Sequence, residues 1–203
     1  MTIASASLNR PVLADALVRR DAVTNTLLVL GGAAFTALLA QVQIPLWPVP
    51  ITGQTLAIVL VGATLGTWRG AASMLVYLVA GLVGAPIFAG GTHGLGAGVL
   101  PSFGFVIGFV PAAALVGWLS ERRWDRRPLL SIVGFGLASA VPFVIGVPWL
   151  GAVLASMGAP HDVGTVLSLG FTPFIVGGLV KWAIAATMLP LAWKALAFFT
   201  KKN

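Results

Sequence analysis

The sequence predicts an all-α integral membrane protein, a bundle of six transmembrane helices with both termini cytoplasmic, and three observations carry that expectation. Of 203 residues 58% are apolar, and adding the 25 glycines brings the share to roughly 70%, against about 45–50% in soluble chains. Charged residues make up only 8%, against roughly 25% in a soluble domain. Those charges sit in clusters at the ends of long uncharged stretches, and the clusters alternate in a way that six crossings explain.

Six apolar segments follow one another: Thr26 to Val42, Gly53 to Thr67, Gly70 to Val83, Phe103 to Leu119, Leu129 to Val147 and Leu167 to Trp193. A span needs about 20 apolar residues, so four of these cross unaided. The second and third are short and need flanking residues or a thinned bilayer. Residues 1–25 then form a cytoplasmic lead, 26–193 a single six-helix bundle and 194–203 a cytoplasmic tail. The lead is too long for a signal-peptide n-region, and removing the first span would break the charge alternation, so it is read as retained. Residues 11 to 22 suit a short helix on the inner membrane surface.

Six crossings put the N terminus, the turn at Trp68 and Arg69, the loop from Glu121 to Arg127 and the C terminus on one side. Eleven of the twelve Lys and Arg residues fall there: Arg10, Arg19, Arg20, Arg69, Arg122, Arg123, Arg126, Arg127, Lys194, Lys201 and Lys202. The opposite loops, 43 to 52, 84 to 102 and 148 to 166, carry none, so the basic side is cytoplasmic and the protein sits in the cytoplasmic membrane. Trp47 and Trp149 on the outer side, with Trp68, Trp118, Trp124 and Trp193 on the inner, fit aromatic belts. Basicity serves topology here, not nucleic acid.

The twelfth cation, Lys181, lies in the middle of the last segment, and none of the six segments holds an Asp or Glu to pair with it. A central Lys costs about 2.5–3.5 kcal/mol on insertion scales, so it either snorkels to an interface or waits for an anionic or strongly accepting ligand. The loop QIPLWPVPITGQTLA, from Gln43 to Ala57, is stiffened by three prolines and presents Thr52 and Gln54 where it joins the second span. Gln54 donates and accepts at once, which suits a ureido-like ligand as well as an ordinary cap. The loop from Ala85 to Phe105 holds Gly90, Gly91, Gly94, Gly96, Gly98 and Gly104, where backbone can approach a ligand closely, with Thr92 and His93 as its only strongly polar side chains. A lone loop His is more often solvated than ligating.

Zero Cys excludes thiolate metal sites and a Cys nucleophile, and no GKS or GKT occurs, so the chain holds no phosphate-cradling ATPase loop. His93 and His161 lie outside the spans, and no paired carboxylates or nucleophile and base appear within them. The chain is therefore expected to be no enzyme and to hold neither metal nor cofactor. Uphill transport would need an energy source that this chain lacks, which implies a partner. Ala33 and Ala37, beside Gly32 and Thr36, place small residues four apart on the first span, where a partner helix or a neighbour in the bundle could approach closely.

PVPITGQTLA, LVGAPIFAGG and the PFxxGxxxK pattern ending at Lys181 together resemble the BioY family, the biotin-binding membrane subunits of energy-coupling factor transporters, over about residues 27 to 190. The resemblance implies high-affinity biotin capture from the outer side. It also implies partners: a membrane coupling subunit, the T component, and two cytoplasmic ABC-type ATPases, which alone use ATP. It makes Lys181 a polar ligand contact, gives Thr92 and Gln54 places in the site, lines the pocket with Phe88, Gly90 and Gly91, and reads Ala33 and Ala37 as the contact with the coupling subunit. Trp182 or Phe88 would lie against the ligand ring. Gly178 departs from the family, which usually carries an acidic residue three positions before the lysine; either the ligand, a variant ligand, or another group such as Thr172 compensates. Phe105 also stands where members place a tyrosine. The competing reading is a stand-alone secondary carrier for biotin or another small organic anion; a membrane assembly factor without ligand is a third.

Overall fold

The structure, a computed structural model, describes residues 12–202 and is all-α apart from one short hairpin. In chain order the α-helices are α1 (Leu13–Leu17), α2 (Ala22–Gln41), α3 (Gln54–Leu65), α4 (Thr67–Leu82), α5 (Phe103–Glu121), α6 (Pro128–Ser156), α7 (Val163–Gly170) and α8 (Phe174–Lys202). Among the described residues α2, α5, α6 and residues 174–199 of α8 are long and apolar enough to cross a membrane, matching the four segments expected to cross unaided. The chain is a membrane protein.

α3 and α4 are the two short apolar segments, and their packing shows how short helices are accommodated. At about 1.5 Å per residue, α3 is only about 18 Å long, well under a bilayer's hydrocarbon core. Instead of facing lipid it is buried along most of its length, from Gln54 and Ala57 to Leu65. Glycine permits this crowding. A Cβ on Gly62 would lie 2.6 Å from the Ala113 carbonyl, and one on Gly117 2.4 Å from the backbone of Gly66 and Thr67, so α5 approaches the α3–α4 turn at backbone distance. Gly66 makes that turn with φ +88°, open to glycine at little strain.

One end of the bundle gathers the basic residues. Asp15 of α1 binds Arg20 and, at 2.7 Å, Arg69 at the start of α4, while the Glu121 carboxylate accepts from the Thr67 amide at 2.8 Å. α1 is thus shorter than the surface helix expected over 11 to 22, and it is docked by buried Val12, Ala14 and Asp15 instead of lying free on a membrane surface. Burial pushes the Asp15 carboxyl up, but the hydrogen bonds from Arg20 and Arg69 outweigh it and hold it below its ordinary value. Arg10 lies outside the described residues.

Asp125, in the 3-10 turn Trp124–Arg126, accepts at 2.5 Å from the Trp193 indole and so fastens α8 to the α5–α6 loop. Trp193 is therefore packed inside the bundle rather than part of an interfacial belt, whereas Trp47 and Trp68 are exposed as expected. Burial pushes Asp125 up to about 6. An acid raised from its unfolded value near 3.8 holds more protons when folded, so stability falls as pH rises from about 4 to about 6. Asp125→Asn, which retains an acceptor for Trp193, should flatten that decline, worth roughly 1–3 kcal/mol, in melting curves measured across this range.

Two boundaries differ from the hydropathy pattern. α6 continues through Pro142 and Pro148 to Ser156, so Trp149 is helical and donates to the Leu100 carbonyl at 3.1 Å instead of sitting in a loop. Each proline removes one backbone bond, and the apolar packing on both sides holds the helix together. The run from Leu167 to Trp193 is broken at Phe171, Thr172 and Pro173 into α7 and α8, because Pro173 disfavours helical backbone at the residue before it.

Candidate functional site

The other end of the bundle holds the site. β1 (Gln43–Ile44) pairs antiparallel with β2 (Ile51–Thr52), Gln43 opposite Thr52, and folds the proline-rich loop over the ends of α2 and α3. Gln41 donates from the end of α2 to the carbonyls of Ile87 and Phe88, at 3.3 and 3.1 Å, tying the glycine-rich loop down beside the hairpin. Gly90 and Gly91 take φ of +67° and +72° there, a left-handed backbone that a side chain would strain.

Beneath these loops lies a cavity of about 650 Å³, counted to its mouth. Phe105, Phe109, Phe143 and Phe174 make its apolar walls; Phe105 meets Phe143 edge-on at 5.6 Å between centroids and stacks on Phe174 at 6.1 Å. Thr52, Gln54, Thr55, Thr92, Ser102 and Lys181 supply its polar atoms, and no Asp or Glu lines it. Lys181 reaches from the second turn of α8 and donates to the Thr52 carbonyl at 2.8 Å, which holds the cation in the cavity.

Of the residues singled out in the sequence, Lys181, Gln54, Thr92, Thr52 and Phe88 line this one cavity. Gly90 and Gly91 do not; they form a shallower depression on the loop surface with Thr92 and His93. Trp182 lines a smaller adjoining chamber and donates to the Ile132 carbonyl at 2.6 Å. Thr172 bonds the Leu167 carbonyl and lines neither space. Ala33 is 7% exposed and packs in the core, with half-buried Ala37 against it. Gly32, Ala33 and Thr36 are all buried, Thr36 reaching Met74 of α4, so the small residues let α2 and α4 approach each other.

Gln54 is not free to meet a ligand with its whole amide. Its oxygen accepts from Thr52 Oγ1 at 2.7 Å and its nitrogen donates at 2.7 Å to the Tyr77 hydroxyl, which in turn donates to the Ile87 carbonyl at 3.1 Å. The chain Thr52–Gln54–Tyr77–Ile87 therefore joins the hairpin, α3, α4 and the glycine-rich loop at the rim of the cavity. Sequence reading missed Tyr77; the signal available was that it is the sole tyrosine, set within an apolar segment. Tyr77→Phe leaves a buried Gln54 N–H without its acceptor and takes from the Ile87 carbonyl one of its two donors, Gln41 remaining, a loss of about 1–3 kcal/mol. It should weaken ligand binding several-fold in titration, by loosening the rim.

An apolar helical bundle with a cavity walled by aromatic rings and holding Lys181, at the end away from the arginines, defines a membrane-embedded binding protein for a small molecule. The chain belongs to the BioY family, whose profile matches residues 9–198. It is 36% identical to the biotin transporter BioY2 of Lactococcus lactis subsp. cremoris, over 79% of this chain and 85% of that one. It is 38% identical to the biotin transporter BioY of Rhodobacter capsulatus, over 77% and 85% respectively. Its fold matches the crystal structure of the S-component for biotin from an ECF-type ABC transporter with a TM-score of 0.73 at 22% identity, covering 88% of this chain and 95% of that one.

Proposed function

We propose that this chain captures biotin as the substrate-binding S-component of an energy-coupling factor transporter and serves its uptake. The observation that carries this is the cavity itself, read within the BioY family. Biotin joins an apolar bicyclic ring and chain to two polar ends, and the cavity pairs aromatic walls with a few fixed polar groups, Lys181 foremost. The partners are a T component in the membrane and two cytoplasmic ABC-type ATPases, which hydrolyse the ATP. In this reading α2, α3, α4, α5, α6 and α8 all cross the cytoplasmic membrane as the six-helix bundle, residues 26–193, of a single transmembrane domain over 1–203, with the basic end facing the cytoplasm. The N-terminal lead, the turn at Arg69 and the loop from Glu121 to Arg127 gather the arginines there, and the uncharged loops over the cavity face outward.

Calorimetric titration of biotin into the detergent-purified chain tests this, with a denatured sample checked for ligand already bound and with desthiobiotin and lipoate as controls. Submicromolar, biotin-selective binding is the expected result. Absence of both binding and copurified biotin overturns the assignment of the ligand.

A further inference from the structure

The α5–α6 loop carries four arginines in six residues, from Arg122 to Arg127, and α8 brings Lys194 to it, next to the Trp193 that meets both Asp125 and Arg126. The two acids of this stretch are engaged elsewhere. Glu121 accepts from the Thr67 amide, at the α3–α4 turn, and the Asp125 carboxylate is fully buried against Trp193. Arg122 lies over the Trp118 ring at 3.6 Å and donates to the Trp118 carbonyl. Arg126 lies over Trp193 at 3.7 Å, which fixes its guanidinium at the junction of loop and helix, while Arg123, Arg127 and Lys194 are exposed. Burial holds Arg126 below its ordinary value; Asp125 opposes this, and the like charge of Arg123 adds to it. Arg123 also takes φ +66°, the one residue other than glycine in the left-handed region among the described residues, so the loop keeps a strained turn where its charges crowd. Four cations thus surround one buried carboxylate, at a place where exposed Leu129 opens α6 and exposed Leu191, Phe198 and Phe199 lie on α8. Crowded positive charge beside lipid-facing apolar surface calls for an anion that carries apolar chains.

We infer that Arg123, Arg126, Arg127 and Lys194 form a headgroup site for an anionic phospholipid of the leaflet at the basic end, with the phosphodiester on the cations and the acyl chains along the exposed faces of α6 and α8. Guanidinium forks match phosphate oxygens, and Lys194 adds a point charge. Basic clusters between spans take such headgroups. A site of this kind depends on which cations are present, whereas general attraction of a basic protein end to an anionic leaflet depends only on how many. The inference stands apart from the cavity and holds whatever small molecule the chain captures.

The test follows the melting of the purified full chain by tryptophan fluorescence in detergent micelles doped with phosphatidylglycerol, each protein being compared with itself in micelles doped with phosphatidylcholine. Phosphatidylglycerol should raise the melting temperature of the unaltered chain by about 2–4 °C. Arg127→Gln with Lys194→Gln, which leaves the Trp193 contacts of Asp125 and Arg126 in place, should lose most of that gain. Arg127→Gln alone should lose about half of it and serves if the double variant does not fold. Arg19→Gln with Arg122→Gln removes two exposed charges from the same end but outside the cluster, and should keep the gain. Inorganic phosphate in phosphatidylcholine micelles, exchanged for chloride at equal ionic strength, should give no gain; if it reproduces the effect, the site takes free phosphate and the lipid assignment is overturned. The site is also overturned if phosphatidylglycerol stabilises nothing, if its effect survives Arg127→Gln with Lys194→Gln, or if both double variants lose it alike, which would make the attraction one of net charge.

Discussion

Lys181→Ala is expected to weaken biotin binding by at least tenfold, about 1.4 kcal/mol or more. The substitution removes the one cation that lines the cavity among the described residues and takes from the Thr52 carbonyl the donor now bonded to it at 2.8 Å, at the point where β2 leads into α3. Two effects are thus combined, loss of the ligand's partner and loosening of the hairpin. Lys181→Met separates them, because it keeps most of the apolar stem and deletes the charge. If charge is what matters, the two variants lose affinity alike. If support of the hairpin matters, Lys181→Met retains more binding than Lys181→Ala. Unchanged affinity in both variants removes Lys181 from the site.

Lys181 was legible in the sequence because a lone cation in an apolar run has few uses, and in the structure it lines the cavity. The long helices were legible for the same reason: hydropathy over about 20 residues is a local quantity, and α2, α5, α6 and α8 satisfy it without help. What was not legible depends on pairs distant along the chain. Nothing local marks Tyr77 as the acceptor for Gln54, twenty-three positions earlier. Nor does the spacing of Ala33 and Ala37 say whether they meet a partner or the bundle, since small residues four apart serve both; in the structure Ala33 is buried and Ala37 half-buried. The break between α7 and α8 was hidden because Phe171, Thr172 and Pro173 interrupt the backbone without interrupting the apolar composition.

The basic residues show why a charge pattern can be right about topology and silent about structure. Arg69 counts as one charge among eleven on the basic side, yet it is 7% exposed and holds the Leu65 carbonyl, Asn25 and the fully buried Asp15 carboxylate. Arg69→Met should destabilise the chain by about 3 kcal/mol, the low end for breaking a buried pair because Arg20 still reaches Asp15. That corresponds to a fall of roughly 6–12 °C in melting temperature for a chain of this size. Most of the loss comes from the carboxylate left under-compensated, so adding Asp15→Asn should recover a large part of it, and the double-mutant cycle reads the coupling directly. Arg122→Met is the control: Arg122 is exposed over the Trp118 ring on the same side, carries the same topological charge, and should cost no more than about 1 kcal/mol. If the two arginine variants melt alike, charge at the basic end acts through membrane orientation alone and the Asp15–Arg69 contact holds nothing together. If they differ as expected, the residue that helps orient the chain also fastens α1 to the α3–α4 turn.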